Sequence, residues 1–193
     1  MNISKKVTNI LVEENIIRQD DKEVYEYCIN ALFDIAGNIF VTVILGIFLG
    51  KLSETILFLA AVIPLRSFAG GFHAKTSYGC LILSVGYYLA SIYLPVIYIN
   101  SDIWMINVIY CIASVIVYII SPVASVNKPV SSKQRPQMRR FAGITLIIVA
   151  IFYIFTCVSG LKVYSVELCV IVTILLISQL FEMIRGKSKL HSY

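Results

Sequence analysis

Long, mostly apolar runs dominate the chain, at residues 31–50, 81–99, 104–124, 141–159 and 163–184, with more polar segments between them. Each reaches or approaches the ~20 residues that a helix needs to cross a bilayer. A sixth run, Glu54 to Leu65, is shorter and meets Pro64, where a helix is expected to end. It spans only if the chain through Phe72 also lies at membrane depth. The pattern predicts an all-α polytopic membrane protein with about six transmembrane helices, five being the alternative count.

Ahead of the first run the pattern changes. Ile3, Ile10, Ile17 and Val24 recur at seven-residue intervals, with Val7 and Leu11 beside them and charges between. That spacing predicts an amphipathic interfacial helix along the membrane surface over residues 1–30, with a break near Gln19-Asp20-Asp21. It serves as an anchor or packing element, or it presents substrate. The chain is expected to form a single membrane domain, 1–193, in which this helix precedes a six-helix bundle over 31–193.

Composition narrows the class. The sequence is 59% hydrophobic and 14% charged, where soluble domains carry about 25% charged residues. A soluble globular enzyme and a nucleic-acid-binding module are thereby excluded, and the lipid bilayer is the first expected partner. The first 30 residues hold no short apolar core followed by a small-residue cleavage site, so no removable signal peptide is expected.

Charge sets the orientation, because cytoplasmic segments carry the excess of Lys and Arg. With six spans, one side receives the N-terminus, Arg66, Lys75, the loop 125–140 and the C-terminus. That side holds all but Lys51 and Lys162 of the sixteen basic residues. Both termini are therefore expected in the cytoplasm, whereas five spans would put the basic blocks on opposite sides. The loop 125–140 carries Lys128, Lys133, Arg135, Arg139 and Arg140 with two prolines and no acid, so it is expected to be irregular and solvated. It either fixes the topology or attracts an acidic peptide tail.

The five cysteines, Cys28, Cys80, Cys111, Cys157 and Cys169, form no CxxC pair, and four lie in or beside apolar runs. They read as small buried hydrophobes, with no disulfide framework, no metal site and no cofactor expected. Zinc, serine-elbow and aspartyl protease patterns are absent from the sequence as well.

One polar stretch stands apart, RSFAGGFHAKTSYGC at 66–80. A cysteine is a useful nucleophile only as thiolate, which a helix N-terminus or a neighbouring histidine favours. Thr76 and Ser77 are good N-cap residues, and the apolar run from Leu81 reads as a helix beginning close to Cys80. His73 lies seven residues earlier, about 10.5 Å away along a continuous helix, too far for the ~3 Å of a proton transfer. Catalysis therefore requires a turn, which Gly70, Gly71 and Gly79 make possible. The expected geometry is a broken second helix, a turn or re-entrant segment through 68–78, and a third helix from near Cys80. The blander alternative makes His73 an interface residue and Cys80 a core thiol.

Arg66, then Gly70-Gly71-Phe72-His73-Ala74, then Cys80, resembles the signature of the accessory gene regulator B family, membrane cysteine peptidases of Gram-positive quorum sensing. Chain size, the N-terminal helix, the span count and the basic loop extend the resemblance over nearly the whole sequence. It implies a catalytic pair at His73 and Cys80, an important arginine at Arg66, a cell-membrane location and a homodimer. It also implies an AgrD-like propeptide substrate with a leader, a central cysteine-containing segment and an acidic tail.

Arg66 either binds an oxyanion or substrate carboxylate, or pairs with Asp34 at the start of the first span; Asp34 alternatively orients His73. Glu182 and Arg185 read as a local helix pair, and Lys75 as an interface residue. The competing function is a small transporter or channel in which Arg66, His73 and Asp34 line a polar path, a reading that gives Cys80 no task.

Overall fold

The computed structural model describes residues 3–72, 74, 76–124 and 134–190. Its helices are α1 (Ile3–Glu13), α2 (Lys22–Phe48), α3 (Leu52–Ala69), α4 (Ser77–Tyr98), α5 (Ile103–Ile120), α6 (Arg135–Val158) and α7 (Lys162–Leu190). Among the described residues six helices, α2 to α7, are long and apolar enough to cross a membrane, and the protein is an all-α polytopic membrane protein. Two compact units divide the chain, residues 1–41 and 42–193.

In the first unit the surface helix is shorter than its sequence period suggests. α1 stops at Glu13, where Asn15 takes a left-handed conformation (φ 55°). The amides of Asn15 and Ile16 turn back onto the carbonyls of Val12 and Leu11 (3.0 and 2.9 Å), closing the helix end. Asparagine accepts that conformation where bulkier residues resist it. The break near Gln19-Asp20-Asp21 is a short 3-10 turn, and Lys22–Asn30, expected on the surface, instead forms the opening turns of α2.

In the second unit α3 runs straight through Pro64 to Ala69, contrary to the stop expected there. A spanning helix tolerates proline when neighbouring groups absorb the freed carbonyl. Eighteen residues then cover about 27 Å, close to the hydrocarbon thickness of a bilayer. α7 is the hub and packs against α3, α4, α5 and α6. It buries Leu168, Ile171, Val172, Leu175, Gln179 and Glu182, which lie on one face at helical spacing. Opposite faces keep large apolar side chains outward, Ile147, Ile151, Ile154 and Phe155 on α6 among them. Such contiguous apolar surface is what a lipid-facing wall requires.

The basic loop is shorter than expected. α6 already begins at Arg135, with Pro136 in its first turn, where a preset φ and a missing N–H cost nothing.

Candidate functional site

The site is built where α3 ends and α4 begins. Gly70 has φ 77° and ψ −161°, and Gly71 has φ 136°, conformations that only glycine adopts freely. A second constraint is contact. A Cβ on Gly70 would sit 2.2 Å from the carbonyl oxygen of Val123, and one on Gly71 would sit 3.0 Å from Ser178 Oγ. The two glycines therefore turn the chain and let it pass between α7 and the segment after α5. Gly70 and Val123 form a single parallel bridge there.

The turn is held from several sides. The carbonyl of Ala69 accepts from the amide of Val123 (3.0 Å) and from Gln179 Nε2 (2.8 Å). Gln179 also donates to Ser121 Oγ (3.1 Å) and is fully buried. The amide of Phe72 donates to Ser178 Oγ (3.0 Å), and its carbonyl accepts from Arg66 Nη2 (2.7 Å). The Phe72 ring packs edge-on against Phe181, centroids 5.1 Å apart, with the Arg185 guanidinium 5.2 Å from its centroid. Arg185 in turn lies 3.6 Å from Glu182, the local pair expected from their spacing.

Arg66, expected on an oxyanion, a substrate carboxylate or Asp34, donates within the second unit to the Phe72 carbonyl. Asp34 lies on α2 in the first unit, where its backbone carbonyl accepts from Asn38 Nδ2 (2.8 Å). Gly79, expected as a turn former, sits in the first turn of α4. It is small for a different reason: a Cβ there would come within 3.0 Å of Ala74 Cβ and 3.1 Å of Thr76 Oγ1.

α4 starts where the apolar pattern puts it. Thr76, in extended conformation, is the N-cap, and its Oγ1 accepts from the Gly79 amide (3.1 Å). The amide of Cys80 closes the first intrahelical bond onto the Thr76 carbonyl (3.0 Å). Cys80 thus occupies the first turn of a capped helix as a half-buried free thiol. The positive end of the helix dipole lies at that turn. His73, like Lys75, lies outside the described residues.

Of the basic residues expected to attract an acidic tail, Lys128 and Lys133 also lie outside the described residues. Arg135, Arg139 and Arg140 are exposed in the opening turns of α6, with the Arg139 guanidinium 5.5 Å from the centre of the Tyr118 ring. Among the described residues no group of three or more His, Cys, Asp or Glu could hold a metal ion.

Sequence reasoning missed Ser121, Val123, Ser178 and Gln179. The last two carried a signal, adjacent polar residues inside a largely apolar run, which are costly there unless they have a task.

The family model described as accessory gene regulator B matches residues 4–184. Protein FsrB of Enterococcus faecalis is 35% identical over 78 residues, covering 40% of this chain. That match spans 31% of the relative's own length. No solved structure matches the chain.

Proposed function

The chain belongs to the accessory gene regulator B family, a membrane component of quorum sensing, and from that premise we propose that it is a cysteine endopeptidase acting on an AgrD-like propeptide. The observation that carries the reading is the position of Cys80, in the first turn of the capped helix that follows a Gly-Gly turn held by Val123, Gln179, Ser178 and Arg66. A structural thiol needs neither the cap nor the turn.

In the proposed reaction His73 takes the Cys80 proton, and the sulfur attacks the carbonyl carbon of the peptide bond before the propeptide's tail. Developing negative charge on that carbonyl oxygen is favoured at the α4 N-terminus. The C–N bond breaks, His73 returns the proton to the departing amine, and the tail leaves. A thioester joins Cys80 to the central segment of the substrate. The substrate's own cysteine then attacks that thioester, giving up its proton as the Cys80 thiol is restored and a thiolactone ring closes. One thioester is exchanged for another of similar energy, which accounts for a cysteine rather than a serine. Water must be kept away during the exchange, or hydrolysis yields a linear peptide. Arg135, Arg139 and Arg140, with Lys128 and Lys133, are the proposed ground for capturing the acidic tail.

Cys80→Ala decides the matter. The variant is expected to insert and to bind propeptide, yet release no tail and trap no thioester with a tagged substrate. Undiminished tail release would overturn the reading.

A further inference from the structure

The end of the second unit away from the Gly-Gly turn holds a charge that the proposed chemistry does not use. Glu167, in the second turn of α7, is 1% exposed, and among the described residues neither of its carboxylate oxygens has a hydrogen-bond partner. It lies inside a membrane-spanning helix, roughly 18 Å along the axis from Gln179. An ionised carboxylate cannot remain unpartnered there, because neither water nor protein replaces its hydration.

The groups around it are already committed. Glu54 on α3 accepts from Lys51 Nζ (2.7 Å) and from Ser53 Oγ (2.8 Å). Lys51 is thereby spent on Glu54, and this pair sits nearer the rim, with Lys51 the more exposed partner. Burial disfavours the ammonium, but the bond to Glu54 is the larger effect and holds the Lys51 pKa above its ordinary value. On α4, Tyr88 is buried and shares a 2.6 Å hydrogen bond with Thr55 Oγ1. Thr55 itself donates to the Lys51 carbonyl (2.6 Å). Glu167 interacts electrostatically with Glu54, Lys51 and Tyr88, so the cluster has two carboxylates and one cation. It lacks one positive charge.

We infer that Glu167 is the anionic centre of a monovalent-cation site, filled by a proton or an alkali ion that reaches it past the Lys51–Glu54 pair. A single small cation supplies the missing charge. A divalent ion has too few free ligands, because Glu54 is engaged at both oxygens and Thr55 and Tyr88 are engaged with each other. The site is independent of the reading of Cys80, since it shares no residue with the turn.

The test is modification by dicyclohexylcarbodiimide, which attacks protonated carboxyl groups in apolar surroundings. The full-length protein in detergent is treated with it at about pH 6 and about pH 9, in sodium chloride or choline chloride of equal ionic strength, and the modified peptide is found by mass spectrometry. The expected result is modification at Glu167 that falls several-fold from the lower to the higher pH and disappears in E167Q. Protection by sodium beyond that of choline identifies an alkali ion as occupant; equal modification in both salts identifies the proton. A Glu167 that stays unmodified in every condition, while the SDS-unfolded chain reacts there, overturns the inference. So does modification that is insensitive to both pH and sodium. E167Q also removes the charge without changing shape, so its thermal midpoint should lose whatever dependence on pH or sodium the wild-type protein shows through this site.

Discussion

Gln179, deep in the last span, donates its side-chain amide to the carbonyl of Ala69, the final residue of α3, across 2.8 Å. The end of a helix leaves carbonyls without partners, and here one is taken up by a residue 110 positions later together with the amide of Val123. The turn that carries the proposed catalytic segment is therefore fixed by tertiary contacts and not by its own sequence alone.

Replacing Gln179 with Leu keeps the bulk and removes the donor. Ala69 and Ser121 each lose a partner in a buried place, which costs about 1–2 kcal/mol. The expected outcome is a lower thermal midpoint in detergent and slower tail release. Gln179→Glu, with an acceptor facing the same carbonyl, should be worse than Leu at high pH and recover as pH falls and the carboxyl gains a proton to donate. Stability profiles of the two variants against pH check this sign.

Gly70 and Gly71 should not respond equally to alanine. At Gly70 the new methyl meets backbone, the Val123 carbonyl at 2.2 Å, in a region of φ and ψ that alanine resists. A loss of roughly 3 kcal/mol or more is expected. At Gly71 the nearest atom is the end of the Ser178 side chain, 3.0 Å away, which can rotate. Strain at φ 136° remains, so Gly71→Ala is milder but not silent. Yield of folded protein and thermal midpoint should rank wild type, Gly71→Ala, Gly70→Ala.

How much of this was visible in the sequence differs from residue to residue. Run length gave five spans, because each helix must cover the same bilayer thickness, and the distribution of Lys and Arg supplied the argument for the sixth. Thr76 could be named as a cap because an N-cap depends on its near neighbours only. Pro64 misled, since the rule that proline ends a helix comes from helices in water, whereas α3 continues five residues beyond it. Arg66 could be seen as needing a partner, but that partner is a backbone carbonyl, and no side chain advertises it. Ser178 and Gln179 stand out as polar in an apolar run, but their partners Phe72 and Ala69 were hidden for a similar reason: they lie over a hundred residues away, on a turn whose path only the packed helices define.

The cap at Thr76 gives a graded test of the start of α4. Thr76→Ser keeps the oxygen that accepts from Gly79, and Thr76→Val keeps the shape without it. Valine should cost about 1 kcal/mol of stability and serine a few tenths at most. If the capped turn positions Cys80, tail release should fall with valine and persist with serine. The measurement is single-turnover acylation of Cys80 at saturating propeptide, which separates positioning from binding.

Arg66 offers the sharpest discrimination between bracing the turn and binding substrate. Its guanidinium reaches the Phe72 carbonyl at 2.7 Å, a bond to a single oxygen that one ammonium can also make. A substrate carboxylate, by contrast, is best held by the two-pronged fork of arginine, which lysine lacks. Bracing therefore predicts that Arg66→Lys retains most of the thermal midpoint and most of the acylation rate, while Arg66→Met loses both. Carboxylate binding predicts that lysine and methionine raise the apparent KM alike and leave the midpoint unmoved. Measuring midpoint, KM and acylation rate for both variants tells the two apart, and the hydrogen bond to Phe72 favours the first outcome.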